Sequence, residues 1–173
     1  MHIFLSGEKH IGKSTVVSQI LWNFKCLGLL SVSDVKDGER KVYLKALNGN
    51  FQGSVYCGTC VFGHITKCVT SAFDVFGTQV LREATENADL VIIDEIGNME
   101  KDAKIYSDFI EQMLSKPFPI VLGVLQNMAH SELSEKIRKR NNIVHFVIDE
   151  NNRDYIADEI VRRIQKEMSN IHK

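Results

Sequence analysis

Residues 7–14 read Gly-Glu-Lys-His-Ile-Gly-Lys-Ser, and this segment constrains the fold of the chain more than any other stretch. It has the form G-x-x-x-x-G-K-[ST], the Walker A phosphate-binding loop, in which glycines let backbone N–H groups turn toward phosphate oxygens. In such a loop Lys13 reaches the β- and γ-phosphates, and the Ser14 hydroxyl takes a Mg²⁺ position. We therefore predict a nucleotide-binding segment made of Gly7, Glu8, Lys9, His10, Ile11, Gly12, Lys13, Ser14 and Thr15.

The sequence on both sides of the loop supports this prediction. The apolar run at residues 2–5 predicts a buried strand. From Lys13 onward, apolar residues at helical spacing predict a helix that ends near Leu27, with Gly28 just past its end. Strand, loop and helix form the order that the motif requires, and the helix N-terminus adds its positive dipole end to the phosphate site.

Length and composition predict one domain, and a nucleotide site together with free cysteines predicts a cytoplasmic protein. The chain has 173 residues, 44% of them hydrophobic, which is enough for a sizeable core, so we expect a single domain over residues 1–173. The net charge of −1, from 21 basic and 22 acidic residues, gives no strong signal for nucleic-acid binding. No apolar run is long enough to cross a bilayer, and the first residues lack a signal-peptide pattern, so no membrane association is expected.

The rest of the chain alternates strand and helix patterns. Strands are expected at residues 29–35, 90–93, 120–125 and 144–148, and helices at residues 73–87, 105–114, 133–140 and 155–168. This alternation predicts an α/β fold with a mainly parallel sheet flanked by helices. Residues 42–70 are expected to form short antiparallel strands inserted at one edge of that sheet.

A second motif completes the predicted phosphate site. The apolar run at residues 90–93 is followed by Asp94 and Glu95. Asp94 matches a Walker B aspartate, which supports Mg²⁺. Because adjacent residues at a strand end point to different sides, Glu95 is free to orient and partly deprotonate an attacking water. The Asp-Glu pair therefore favours hydrolysis over transfer to a second substrate, with Glu95 and Lys13 as catalytic residues.

Three polar residues near these motifs allow two interpretations each. Glu100 follows Glu95 by five residues and is either a second carboxylate facing the site or a solvated residue at a helix start. Gln126 and Asn127 end the strand after the Walker B strand. They either sense the γ-phosphate or simply begin a polar loop.

Residues 94–100, Asp-Glu-Ile-Gly-Asn-Met-Glu, resemble the D-E-I-G-K-M-E signature of a family of small P-loop nucleoside triphosphatases. This family includes relatives of the human cancer-related nucleoside triphosphatase. Residues 34–40 resemble its E-V-R-x-G-x-R stretch, and residues 152–154 resemble its E-N-R-D ending. The resemblance covers nearly the whole chain.

The resemblance implies a RecA-like fold and slow, Mg²⁺-dependent hydrolysis of ATP, GTP and other nucleoside triphosphates with broad base tolerance. It assigns phosphate and metal binding to Gly12, Lys13 and Ser14, metal support to Asp94, and the role of base to Glu95. The chain departs from the family pattern at four positions, which are Val42, Asn98, Gln126 and Asn127. These departures leave the source of a transition-state cation open among Lys9, Arg40, Arg153 and a charge from another subunit.

Four residues have a spacing that could build a zinc site. Cys57, Cys60, His64 and Cys68 form the pattern C-x₂-C-x₃-H-x₃-C, which offers three thiolates and one imidazole. The alternative is a set of reduced thiols on strands, because free cysteine behaves as a small hydrophobe.

Two other classes of function stay open from the sequence. A nucleotide or small-molecule kinase would hold its second substrate at a rim around Arg40, Arg82 and Arg138. A nucleotide-switched binding module would contact its protein partner, or another subunit, through residues 51–70. The basic run at residues 136–140 is either a solvated helix face or a lid over the phosphates.

Overall fold

The computed structural model describes residues 1–171, and its eight strands form one sheet with the order β5-β4-β3-β2-β6-β7-β1-β8. The strands are β1 (His2–Gly7), β2 (Cys26–Lys36), β3 (Glu39–Leu47), β4 (Ser54–Val61), β5 (His64–Cys68), β6 (Leu90–Ile96), β7 (Ile120–Leu125) and β8 (Ile143–Ile148). The α-helices are α1 (Lys13–Leu21), α2 (Thr78–Asn87), α3 (Lys104–Leu114), α4 (Glu132–Lys139) and α5 (Ile156–Ile171).

The sheet has a parallel part and an antiparallel edge, as the sequence predicts. The pairs β2–β6, β6–β7, β7–β1 and β1–β8 are all parallel. The pairs β2–β3, β3–β4 and β4–β5 are antiparallel. The carboxyl ends of the parallel strands therefore meet at one edge of the sheet, where ligands bind in open α/β folds.

Side-chain alternation along β6 explains the layers above and below the sheet. Leu90 and Ile92 are buried with residues of α1 and α5 on one face. Val91 and Ile93 are buried with residues of α2, α3 and α4 on the other face. Both faces of the central strands are covered, which is why their sequences are continuous apolar runs rather than alternating ones.

The first helix is shorter than predicted, because the residues predicted as its last turn pair with the sheet instead. It ends at Leu21, and Leu27 and Gly28 lie inside β2 instead. Gly28 has a φ of 152°, and a Cβ atom there would overlap the backbone of Ile92 on β6. The glycine thus permits close approach of two strands and does not cap a helix.

The second predicted helix begins with a π-helical segment, Ala72–Gly77, before α2. Each π-helical turn is wider than an α-helical turn and changes the phase of the side chains that follow. Val75, which helical spacing assigns to the apolar face, is 56% exposed for this reason. Within residues 1–171, the helices are all too short or too polar to cross a membrane.

Candidate active site

The phosphate-binding loop connects the end of β1 to the start of α1. Gly12 precedes α1 with a φ of 112°, and Gly7 at the end of β1 has a φ of 147°. A Cβ atom on Gly7 would lie 2.5 Å from the carbonyl oxygen of Ile148 on β8. Glycine is therefore required at both ends of the loop, because side chains rarely adopt this backbone conformation.

Lys13 and Ser14 face the site from the first turn of α1. The Lys13 ammonium donates to the carbonyl oxygens of Gly7 at 3.0 Å and Glu8 at 2.6 Å, so its charge lies over the loop. The Ser14 hydroxyl donates to Asp94 Oδ2 at 3.3 Å. The two halves of the predicted site, which are 80 residues apart in the sequence, thus meet at the carboxyl ends of β1 and β6.

Burial sets the electrostatics of Asp94. The pKa of this carboxyl is raised from 3.8 to about 6, first by burial and then by the neighbouring Glu95, while the Ser14 hydrogen bond and Lys13 act in the opposite direction. A partly buried carboxylate beside a second carboxylate is stabilised by any cation that enters the site.

The Glu95 carboxylate is held from the neighbouring strand. The side-chain amide of Gln126, just past β7, donates to Glu95 Oε1, and the Glu95 N–H donates to the Ser31 hydroxyl at 3.3 Å. The register between β6 and β7 shifts between Asp94 and Ile96, at the position of Glu95. Gln126 was expected either to sense the γ-phosphate or to begin a polar loop. The structure supports neither interpretation in full, because the Gln126 amide contacts the candidate base. Ser31 was not predicted, since only the β2–β6 register reveals its position.

Arg138 forms hydrogen bonds with the loop that carries Gln126 and Asn127. Its guanidinium donates to the carbonyl oxygens of Gln126 at 3.1 Å, Asn127 at 3.4 Å and Ala129 at 2.7 Å. Lys136 on the same helix forms surface ion pairs instead. The basic run is therefore a solvated helix face with one arginine turned toward the loop.

Glu100 fits neither of its two interpretations. It is only 3% exposed, and its Oε1 accepts a hydrogen bond from the Gly97 N–H. Burial raises the pKa of this carboxyl from 4.5 to about 7. Asn98, at a departure from the family pattern, donates to the Met128 carbonyl at 3.0 Å and accepts from the His130 N–H at 2.9 Å.

The basic residues considered for the site lie at different places. The Arg153 stem lies 4.0 Å from the position of a Cβ atom on Gly12, so it packs beside the phosphate loop. Arg40 lies on β3 opposite Val35, and the Arg82 guanidinium lies 5.4 Å from the Phe109 ring on the outer helices. With Arg138 bound to its loop, these arginines do not form the common rim that a kinase acceptor site would need.

Among residues 1–171, the structure does not gather the four candidate zinc ligands into a metal-binding group. The Cys57 thiol is buried and contacts the Val42 carbonyl at 3.3 Å, whereas the Cys68 thiol contacts the Met99 carbonyl at 2.8 Å. Burial raises the pKa of Cys57 to about 12, so this thiol is protonated at neutral pH. Cys57, Cys60, His64 and Cys68 lie on the paired strands β4 and β5, but within the described part of the chain they do not form a group of three or more metal ligands.

Comparison with known proteins agrees with this geometry. The model of a family described as NTPase matches residues 2–161. The chain is similar to nucleoside-triphosphatase THEP1 of Thermotoga maritima, with 23% identity over 165 residues that cover 93% of this chain and 94% of the relative. It is also similar to the cancer-related nucleoside-triphosphatase of Homo sapiens, with 27% identity over 184 residues that cover 95% and 96%. The crystal structure of THEP1 from Aquifex aeolicus has the same fold, with a TM-score of 0.78, 21% identity, and coverage of 95% of this chain and 99% of that one.

Proposed function

This chain belongs to the NTPase family and is a nucleoside-triphosphatase, and from that premise we propose that it hydrolyses ATP, GTP and other nucleoside triphosphates slowly in a Mg²⁺-dependent reaction. The products are the nucleoside diphosphate and phosphate. We propose that base tolerance is broad and that the site comprises the phosphate loop, Asp94 and Glu95.

One observation carries this proposal. The Glu95 carboxylate follows Asp94 at the end of β6 and is fixed by the Gln126 amide, on the same edge of the sheet as the phosphate loop. A carboxylate held in this way is suited to orient a water and accept its proton, because general-base efficiency depends first on geometry. Transfer to a second substrate would need a binding rim beside this base, and the arginines expected to form that rim lie on β3, α2 and α4 instead of together.

The donor atoms at Ser14 and Asp94 fit a Mg²⁺ ion. They are a hydroxyl oxygen and a carboxylate oxygen 3.3 Å apart, and Mg²⁺ prefers oxygen ligands from a small number of protein groups. When bound, the ion neutralises charge on the β- and γ-phosphate oxygens. Ser14 and Asp94 would hold it, and Lys13 would move from the Gly7 and Glu8 carbonyl oxygens to the phosphates.

Arg153 is the best supported source of a further positive charge. Its stem packs beside Gly12, and its ion pair with Asp154, at 3.9 Å, is between exposed groups and therefore weak. Its guanidinium could reach a phosphate without losing a strong partner. Arg40 lies within the antiparallel strands, and Lys9 lies in the loop with its side chain in solvent.

The experiment is phosphate release from each nucleoside triphosphate, with Mg²⁺ and with EDTA, for the wild type and Glu95→Gln. Glu86→Gln, on the exposed face of α2, is the matched control. We expect slow release from several nucleotides, abolished by EDTA and reduced about 100-fold or more in Glu95→Gln with nucleotide binding retained. Unchanged release in Glu95→Gln would exclude it as the base. Tight binding without release in the wild type would favour a kinase or a nucleotide-switched module.

A further inference from the structure

A buried carboxylate lies directly behind the loop that follows Glu95. Glu100 is 3% exposed, and its side chain accepts the hydrogen bond from the Gly97 N–H. Its own carbonyl oxygen accepts from the Ala103 N–H at 2.9 Å, just before α3 begins. Since a buried carboxyl is costly unless it is hydrogen-bonded, this arrangement fixes both ends of the short segment between Gly97 and Ala103.

Gly97 contacts the residue that holds the candidate base. A Cβ atom on Gly97 would overlap the side-chain amide of Gln126. The Gln126 backbone N–H also donates to the Ile96 carbonyl at 2.9 Å. The Gln126 amide is therefore confined between the Gly97 backbone on one side and the Glu95 carboxylate on the other.

Two other contacts hold the same loop without reaching Glu95. Asn98 joins it to Met128 and His130. The Met99 sulfur lies 3.8 Å from the Cys57 sulfur and would lie 2.8 Å from a Cβ atom on Gly58. Among these contacts, only the hydrogen bond that the Gly97 N–H donates to Glu100 holds Gly97, whose backbone packs against the Gln126 amide.

We propose that Glu100 is a positioning residue: by fixing the Gly97 amide it holds the Gln126 side chain against Glu95 and so aims the carboxylate that activates water. The inference rests on the proposed role of Glu95. Glu100 does not touch the nucleotide, so its effect should fall on turnover and not on substrate binding. Small displacements of a catalytic group can reduce rates about 100-fold, which makes such an indirect effect measurable.

The test is a double-mutant cycle between Glu100 and Glu95. We expect Glu100→Ala to lower kcat about 10- to 100-fold with KM changed less than about threefold. Glu100→Gln keeps an oxygen that can accept the Gly97 N–H, so it should stay within about threefold of the wild type. Because Glu100 acts through Glu95, the double variant Glu95→Gln/Glu100→Ala should be no slower than Glu95→Gln alone.

Asp74 supplies the matched control. Its Oδ1 accepts the Tyr106 N–H at 3.0 Å at the start of α3, so Asp74→Ala also removes a carboxylate from a backbone amide, but this bond holds α3 and not Gly97 or Gln126. Asp74→Ala should lower the melting temperature and leave kcat unchanged. An equal loss of kcat from Glu100→Ala in the wild-type and Glu95→Gln backgrounds would mean a merely structural role and would overturn the proposal.

A variant at Gln126 keeps the proposal testable if Glu100→Ala does not fold. Gln126→Ala should lower kcat to the same extent as expected for Glu100→Ala, and it should have no effect in the Glu95→Gln background. Normal turnover in Gln126→Ala would refute the link to Glu95. If Glu95→Gln itself keeps full turnover, Glu95 is not the general base and the proposed function fails. That result differs from one in which only the role of Glu100 fails.

Discussion

The side-chain oxygen of Asn127 accepts a hydrogen bond from the Gly7 N–H at 2.9 Å, which joins the end of β7 to the first amide of the phosphate loop. The preceding residue, Gln126, reaches the other way to Glu95. Strand β7 lies between β6 and β1 in the sheet, so two successive residues past its end contact the two neighbouring strands. The candidate base and the phosphate loop are thereby fixed to one short segment.

Loss of the Asn127 bond should weaken nucleotide binding. In Asn127→Ala the Gly7 amide loses its partner and the loop becomes less ordered, so we expect the nucleotide Kd to rise about 5- to 10-fold, as for the loss of one hydrogen bond. The Kd is measured with a fluorescent nucleotide analogue. Asn127→Asp keeps the acceptor but adds a negative charge near the phosphates, and its loss of affinity should therefore shrink as salt is raised. An unchanged Kd in both variants would contradict this role.

A methyl group on Gly97 should disturb the same segment from the other side. In Gly97→Ala the new Cβ atom would overlap the Gln126 amide, so Gln126 must move from Glu95, and we expect kcat to fall about tenfold. Gly53→Ala is the control, because Gly53 has a φ of 84° but no atom within 4 Å of its Cβ position. That substitution should lower stability and leave kcat intact. Equal kcat values for the two variants would argue against the contact.

The parts of the site that local sequence determines were predictable. The strand–loop–helix order around residues 7–14 follows from glycines and apolar spacing over a short stretch. The run that ends in Asp94 and Glu95 is a strand buried on both faces, which has a recognisable composition. The antiparallel edge was also predictable, because turn residues separate its short strands.

The contacts that depend on strand order were not predictable. Gln126 and Asn127 show only that a strand has ended, and their roles follow from the position of β7 between β6 and β1. Gly28 has the sequence appearance of a helix cap, but it lies inside a strand because β2 packs closely against β6. The spacing of Cys57 and Cys68 suggests metal ligands, although each thiol contacts a different backbone carbonyl.

The Ser14 hydroxyl should determine how much Mg²⁺ the reaction needs. In Ser14→Ala the site keeps Asp94 but loses one oxygen ligand, so we expect the Mg²⁺ concentration for half-maximal turnover to rise about tenfold. Phosphate release is measured while free Mg²⁺ is varied at saturating nucleotide. Ser18→Ala, one turn along α1, removes a hydroxyl that donates to the Ser14 carbonyl at 2.9 Å and should leave this dependence unchanged. Identical Mg²⁺ dependence in Ser14→Ala and the wild type would exclude Ser14 as a ligand.

Burial of Glu100 should make the free energy of unfolding depend on pH. Its pKa is about 7 in the folded protein and 4.5 when exposed, so between these values the folded state binds more protons than the unfolded state. The contribution of Glu100 to the free energy of unfolding is therefore complete below about pH 4.5 and is lost as pH rises through about 7. The free energy of unfolding falls by about 3 kcal/mol over this range. Glu100→Gln removes this pH dependence. The pKa values of Asp94 and His2 are also shifted, but both residues are present in the wild type and in the variant, so their effects cancel in the comparison. Urea denaturation from pH 5 to pH 8 should show the unfolding free energy of the wild type falling relative to that of Glu100→Gln, and parallel curves would mean that Glu100 titrates normally.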